Sequence, residues 1–219
     1  MKTIRHGTVA RRRLLGGGLL VLLLGAAPVA SLCSAPRSPD TIVTGDLIVK
    51  FRDSSEAGAS LAAVVSGTRA MDSAAPLATR LSSDLGVPLK LVQVTSGREA
   101  LLAIDRDALL RSLAQRAQRE PGVKRAVPVP PPATVLPSEQ ASVRIELKPQ
   151  ASAQSLAGKL GIGSLVQPRL HTDASGATLL SYDMAGLTLA LLDRLKRQAD
   201  VEYAQPNRIL RPVDVGKPR

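Results

Sequence analysis

The chain repeats one order of secondary-structure patterns twice, and this repeat is the feature that most restricts its fold. An alternating strand pattern, a short helix, two strands around a tight turn, an amphipathic helix and a last strand follow one another in residues 46–128. The same six patterns recur in the same order in residues 142–212. Leu85-Gly86-Val87 of the first half corresponds to Leu160-Gly161-Ile162 of the second. Duplication explains this agreement better than a chance similarity between two leucine-rich halves.

Local signals support the individual patterns. Asp46–Arg52 alternates apolar and polar residues, as a strand with one packed face does. Asp105 is a good N-cap for the helix that follows it, and Gly86 is a normal helix stop. Residues 53–74 are small and polar, so we expect a loop there, with a turn of helix near Leu61–Val65.

The order βαββαβ in each half predicts the fold class. We expect an α+β protein with two tandem ferredoxin-like modules, each a four-stranded antiparallel sheet with two helices on one face. The second strand then lies at a sheet edge, where Pro168 is tolerated. The proline-rich residues 129–141 are stiff and extended and are expected to link module 1 (46–128) to module 2 (142–212), with 213–219 as a tail.

Residues 1–33 have the composition of an export signal. They contain five bases, no acids, and an apolar run that is shorter than the ~20 residues of a membrane span and is interrupted by glycines. An uncleaved signal anchor is the alternative, and Arg11-Arg12-Arg13 also fits a twin-arginine signal. With residues 34–45 as a leader, we expect an exported protein that is periplasmic, in the outer envelope or secreted.

Cys33 is the single cysteine of the chain, so no intrachain disulfide can form. It lies directly after the apolar run, where the acylated cysteine of a lipoprotein would lie. Leu32 before it is larger than the small residue that a lipoprotein signal has at that position. Cys33 is therefore a candidate for lipidation, and the alternatives are loss with the signal or retention in the leader. Membrane contact is expected only through the signal or such a lipid anchor.

The net charge of +11 overstates the case for a polyanionic partner. Without residues 1–33, 24 bases and 18 acids remain, which leaves a net charge of +6, and the bases are spread along the chain. The aromatic residues are only Phe51, Tyr182 and Tyr203, whereas modules that stack nucleic-acid bases need aromatic side chains on an open sheet. We expect no nucleic-acid partner.

The chain lacks the usual patterns of catalytic chemistry. His6 lies in the signal, so His171 is the single remaining histidine, and no second histidine or cysteine can complete a zinc site with it. No serine stands in a Gly-x-Ser-x-Gly elbow, and "GKLGIG" lies at a helix end rather than after a strand. We expect a protein that is not an enzyme, with no catalytic residues, no metal and no cofactor.

Two motifs resemble the N-terminal propeptides of subtilisin-like serine proteases. Those propeptides begin with an "elIVkF"-type strand, which Leu47-Ile48-Val49-Lys50-Phe51 resembles. They end with a leucine-spaced helix and a "VeyaePN"-type strand, which is similar to Leu192 to Asn207. The first motif is clear only in the first half, and the second motif only in the second half. The resemblance covers residues 45–212.

The resemblance implies a ferredoxin-like fold, inhibition of a protease and assistance to its folding. In that family the sheet packs on the protease and the C-terminal segment occupies the active-site cleft as an extended strand. No Asp-His-Ser set with the family's motifs is visible here, so the resemblance implies action in trans on a separate subtilisin-like serine protease. The implied protease-binding residues are Tyr203, Ala204, Gln205, Pro206, Asn207, Arg208, Ile209 and Leu210.

Two alternatives to a trans-acting inhibitor or folding chaperone stay open. The first is a binding or structural module, such as an envelope lipoprotein, that keeps the fold but has lost the link to a protease. The second is a truncated protease precursor. A terminus without a partner is the alternative for the C-terminal segment itself.

Export can be tested directly. We expect a reporter fused after Asp40 to leave the cytosol, because residues 1–33 carry the basic and apolar regions that export requires. Cell fractionation measures the distribution of the reporter. A fusion that stays in the cytosol would contradict the assignment.

Overall fold

A computed structural model describes residues 41–130 and 139–209 of the chain. The predicted export signal, Cys33, residues 34–40, most of the proline-rich segment, Leu210 and the tail lie outside these residues. Residues 41–45, which the sequence assigned to a leader, are strand residues. The described part is an α+β structure with two four-stranded antiparallel sheets, as the sequence predicts, and with five α-helices where the sequence predicts four.

The elements follow the predicted order. The strands are β1 (Thr41–Phe51), β2 (Leu89–Ser96), β3 (Glu99–Ile104), β4 (Val123–Val129), β5 (Gln140–Leu147), β6 (Arg169–Thr172), β7 (Thr178–Asp183) and β8 (Val201–Ile209). The helices are α1 (Glu56–Val65), α2 (Ala75–Leu85), α3 (Arg106–Gln118), α4 (Ala153–Lys159) and α5 (Met184–Leu195), with a short 3-10 helix at Met71–Ala74.

The two halves exchange their last strands. Sheet A has the strand order β2-β3-β1-β8, and sheet B has the order β4-β5-β7-β6. Each sheet therefore contains three strands from one half of the chain and the last strand of the other half. The second strands, β2 and β6, lie at sheet edges as expected, and Pro168 directly precedes β6. Two self-contained sheets, one in each half, are not what the structure contains.

The helix before each last strand crosses over with it. Helix α3 packs against β4 and β5 of sheet B, whereas α5 packs against β1 and β8 of sheet A. Asp105 caps α3 by accepting a hydrogen bond from the Ala108 amide, and Asp183 caps α5 by accepting one from the Gly186 amide. Each crossing therefore begins at an aspartate cap.

The exchanged segments align without a gap. Asp105 and Asp183 are separated by 78 positions, and the same spacing relates Val123 to Val201 and Pro128 to Pro206. Pro128 lies in β4 and Pro206 lies in β8, and both strands are at sheet edges, where proline is tolerated. This spacing supports the duplication.

The proline-rich segment joins neighbouring strands of one sheet. Val129 is paired with Ser142, and both belong to sheet B. Residues 129 and 140–141, which the sequence assigned to a linker, are strand residues of β4 and β5. The expected linker between two modules is therefore a connection between two antiparallel neighbours.

Residues 53–74 contain more helix than the sequence predicts. Helix α1 begins at Glu56, because Ser55 caps it by accepting a hydrogen bond from the Gly58 amide at 3.0 Å. A Cβ atom on Gly58 would lie 2.3 Å from the Arg52 carbonyl oxygen, so this position requires glycine. Ala57 and Leu61 are buried. Few large apolar residues mark this helix, which is why the sequence pattern understates it.

Thr188 fastens the exchanged helix α5 to β1. Its side chain is fully buried, and its hydroxyl accepts a hydrogen bond from the Gly45 amide at 2.9 Å. The same hydroxyl donates to the Met184 carbonyl at 2.7 Å. Gly45 has a φ of +97°, a conformation that favours glycine, and its amide would otherwise be buried without a partner.

Removal of this hydroxyl should destabilise the protein. We expect Thr188→Val to lower the free energy of unfolding by about 1–3 kcal/mol, because it leaves the Gly45 amide unsatisfied. Urea denaturation followed by circular dichroism measures the change. Thr79→Val on the exposed face of α2 is the control, for which we expect a change within about 0.5 kcal/mol. Equal losses in the two variants would contradict the assigned role of Thr188.

Candidate partner-binding strand at the edge of sheet A

The predicted protease-binding residues from Tyr203 to Ile209 all lie in β8, and Leu210 lies outside the described residues. Strand β8 pairs antiparallel with β1 from Phe51–Val201 to Thr41–Ile209. As far as Ile209, the segment is therefore part of a sheet rather than a free extended tail. Among the strands that the structure describes, β8 is an edge strand, and its one neighbour in sheet A is β1.

Strand β8 has one core side and one outer side. Val201 and Ala204 are buried, and Ala204 lies opposite Val49 in the core. Tyr203 lies opposite Lys50, and Gln205 lies opposite Ile48, on the outer face of the sheet. A shift in the strand register between Lys50 and Phe51 lets Val201 and Ala204, three positions apart, both face the core.

An ionic network ties the start of β8 to sheet A. Lys50 Nζ lies 2.8 Å from Glu202 Oε1, and Arg98 Nη1 lies 3.0 Å from Glu202 Oε2. Arg98 also contacts Asp53 through Nε at 2.6 Å and donates to the Phe51 carbonyl at 2.8 Å. The Lys50 contact lowers the pKa of Glu202 most strongly. Single exposed ion pairs stabilise little, but here several charges form a connected network.

Tyr203 and Asn207 are also held by the sheet itself. The Tyr203 hydroxyl donates to the Glu99 carboxylate, and this bond raises the pKa of Tyr203. Lys50 Nζ lies 5.6 Å from the centroid of the Tyr203 ring, within cation–π range. Asn207 Nδ2 donates to Asp46 at 3.1 Å. The distinctive residues of the ending motif therefore fix β8 in place.

The outer face of sheet A has an apolar centre with a charged rim. Ile48 pairs with Leu101 on neighbouring strands, and both side chains are half-buried. Val92 in β2, at a shift in the strand register, is 49% exposed. Lys50 and Glu99 lie on the rim. An apolar centre with a polar rim is the usual composition of a protein–protein contact surface.

Sequence reasoning found β8 but missed the side chains that hold it. Lys50, Arg98 and Glu99 come from the first half of the chain, and 152 positions separate Lys50 from Glu202. The one sequence signal was the opposite charge of Lys50 and Arg98 to Glu202, which carries weight only once the strand pairing is known. His171 is exposed on the edge strand β6.

The described residues contain no candidate metal centre and no helix that could cross a membrane. No group of three or more His, Cys, Asp or Glu side chains is arranged there to hold a metal ion. Among the helices in residues 41–130 and 139–209, none is long and apolar enough to cross a membrane.

Comparisons with models of protein families, with curated proteins and with solved structures give no match for this chain. The function of the β8 surface is therefore inferred from its residues, its geometry and the motif resemblance.

Acidification should weaken the attachment of β8. Since the folded-state pKa of Glu202 lies below its ordinary value of 4.5, the carboxylate contributes its full stabilisation above about that pH. This contribution is lost as the pH falls through the lowered folded-state pKa. We expect the unfolding temperature of Glu202→Gln to fall less steeply below pH 4.5 than that of the unmodified protein.

Thermal unfolding across pH 3 to 7, followed by circular dichroism, measures both slopes. Asp72→Asn is the control, because Asp72 is exposed on the 3-10 helix and outside this network. We expect it to keep the original slope. Identical slopes for Glu202→Gln and the unmodified protein would contradict the assigned role of Glu202.

Proposed function

We propose that this chain is an exported, non-catalytic protein that inhibits a subtilisin-like serine protease in trans, assists its folding, or does both. The binding surface is the outer face of sheet A, with β8 and the residues that follow it. Export brings the chain to the compartment in which such proteases work.

One observation carries this proposal. The beginning motif is clear only in the first half of the sequence, and the ending motif only in the second half. Strand exchange makes these two motifs neighbours, since Leu47–Phe51 of β1 pairs with Val201–Pro206 of β8. Sheet A thus combines both propeptide-like strands, whereas sheet B combines the two strands in which the motifs are degraded. A chance similarity would not explain why the two clear motifs share one sheet and the two degraded ones share the other.

We further propose that each sheet with its helices is a ferredoxin-like unit. The unit around sheet A comprises residues 41–104 and 184–209, and the unit around sheet B comprises residues 105–183. In each unit the exchanged strand, β8 or β4, lies beside the first strand of the other half, β1 or β5. The second strand of that half, β2 or β6, lies at the opposite edge. The sheet B unit is then a permuted copy inserted between β3 and α5 of the sheet A unit.

The proposed contact uses two physical features. The apolar centre around Ile48 and Leu101 supplies area that a protease surface can bury. The outer edge of β8 from Val201 to Asn207, which pairs with no described strand, supplies backbone groups to which an extended segment can pair, with side chains providing selectivity. Because β8 is already held in its sheet, part of the ordering cost of a free peptide is avoided.

A binding or structural module is the second candidate, in which the same surface contacts an envelope component instead of a protease. An acylated Cys33 would favour it without excluding the first. A truncated precursor without a present role is the third candidate.

Inhibition assays with matched variants test the proposal. We expect the full chain to inhibit at least one member of a panel of mature subtilisin-like proteases. We expect Leu101→Glu to weaken that inhibition by about tenfold or more, because it places a charge in the apolar centre. Leu179→Glu is the matched control, since Leu179 has the corresponding central position on sheet B and should leave inhibition unchanged.

A chain that ends at Ile209 separates the strand from the tail. It keeps every described residue of β8, whereas a chain that ends at Ala204 would remove residues that pair with β1. Weaker inhibition by the chain ending at Ile209 would assign part of the binding to the tail. Equal losses for Leu101→Glu and Leu179→Glu would contradict the sheet A surface, and inhibition of no protease would favour the binding-module alternative.

A further inference from the structure

The exchanged strands carry ion pairs of opposite polarity in the two sheets. In sheet A, Lys50 of β1 lies 2.8 Å from Glu202 of β8. In sheet B, Glu146 of β5 lies 3.9 Å from Lys124 of β4. The basic residue therefore lies on β1, the first strand of its half, in sheet A, and on β4, the last strand of its half, in sheet B.

These four residues occupy equivalent positions in the duplicated halves. Glu202 and Lys124 are separated by the same 78 positions that relate the rest of the exchanged segments. Lys50 and Glu146 are equivalent because matching backbone hydrogen bonds lie two residues after each of them. The amide two residues after Lys50 donates to the Asp200 carbonyl at 2.9 Å, and the amide two residues after Glu146 donates to the Gly122 carbonyl at 2.9 Å.

In the non-exchanged arrangement, both attractive ion pairs would be replaced by pairs of like charge. If each half kept its own last strand, Lys50 would face Lys124, and Glu146 would face Glu202. Glu202 and Lys124 lie at the register shifts, next to Tyr203 and Arg125, which are the residues directly opposite Lys50 and Glu146. Like charges this close on neighbouring strands repel each other, whereas opposite charges attract. The observed charges therefore favour exchange in both sheets.

An ion pair next to the exchanged helix α3 also favours the exchanged arrangement. Glu120 at the end of α3 lies 2.8 Å from Lys159 of α4. The equivalent of Lys159 in the first half is Asp84, by the spacing that relates Gly86 to Gly161. A non-exchanged α3 would therefore bring the carboxylates of Glu120 and Asp84 together.

The buried contact of α5 is also specific to exchange. Thr188 satisfies the Gly45 amide, and its equivalent in α3 is Leu110, which has no hydroxyl. With Leu110 in that place, the Gly45 amide would have no partner from the helix, at a cost in stability.

We propose that this reciprocal charge pattern, Lys50 with Glu202 and Glu146 with Lys124, selects the exchanged pairing of the last strands over the non-exchanged one. The chain thereby specifies which strand completes the edge of sheet A. The inference concerns the pairing alone and stands whether or not a protease is the partner.

Cysteine pairs report the pairing directly. Ile48 and Gln205 are opposite each other in sheet A, and Val127 is the equivalent of Gln205 in β4. Directly opposite strand residues have Cα separations within disulfide range. In the full chain with Cys33→Ser, Ile48→Cys with Gln205→Cys reports exchange, and Ile48→Cys with Val127→Cys reports its absence. Peptide mapping of the monomeric fraction after refolding and oxidation identifies the disulfide.

The two charge reversals Lys50→Glu and Glu146→Lys test the selection. They leave every chain connection unchanged, but they make both exchanged pairs repulsive and both non-exchanged pairs attractive. We expect the original charges to give the 48–205 disulfide, and the double reversal to shift the ratio toward the 48–127 disulfide by about tenfold or more. An unchanged ratio would overturn the proposal.

A fourfold reversal separates selection from misfolding. Adding Lys124→Glu and Glu202→Lys restores opposite charges in both exchanged pairs. Arg98→Gln and Arg125→Gln, present in every chain compared, remove the bases that lie beside positions 202 and 146, so we expect the 48–205 disulfide to return. The same result is expected for the fourfold variant if the double-reversal variant fails to refold. Failure of the fourfold variant to form that disulfide, or a 48–127 disulfide with the original charges, would overturn the proposal.

Discussion

The pairing of β1 with β8 is the contact on which the rest of the structure depends. It joins the first described strand to the last one, so the whole intervening chain is enclosed between two neighbours. Closing so long a segment has an entropic cost, which grows only slowly with length and is offset by burial of the core. Leu47, Val49 and Phe51 are fully buried, and the core that they share with α5 extends through both halves as one cluster. Neither sheet is complete without a strand from the other half.

The sequence allowed the elements to be predicted, but not their partners. Strand alternation and helix periodicity depend on local residues, which is why the βαββαβ order and the edge positions of β2 and β6 were accessible. Strand pairing depends on residues that are distant in the sequence. Alternation in β4 and β8 predicts which side chains face a core, but not which strand lies beside them. The apolar patterns of α3-β4 and α5-β8 fit either sheet, because the residues that distinguish the two sheets are charged or hydrogen-bonding ones. The proline-rich residues 129–141 then suggested a module boundary, although such a segment can equally join antiparallel neighbours.

The candidate site shows the same division between local and distant information. Tyr203 to Ile209 were identified from a motif of consecutive residues, and they do form one continuous strand. What the motif could not predict is that Tyr203 bonds to Glu99 and Asn207 bonds to Asp46, because those partners come from the first half of the chain. Contacts of this kind turn a segment that reads as an extended tail into a structural strand.

The double role of β8 constrains how a partner can use it. One side of the strand is already bonded to β1, so a second extended segment can add only to the opposite edge. Pro206 contributes no amide hydrogen to that edge, which leaves fewer donors for such pairing. A protease would have to pull β8 away from β1 before it could accommodate these residues as a substrate. Doing so would break the Glu202 and Tyr203 contacts and expose Val49 and Ala204. Under the proposed function, resistance to cleavage within β8 is therefore a consequence of the stability of sheet A.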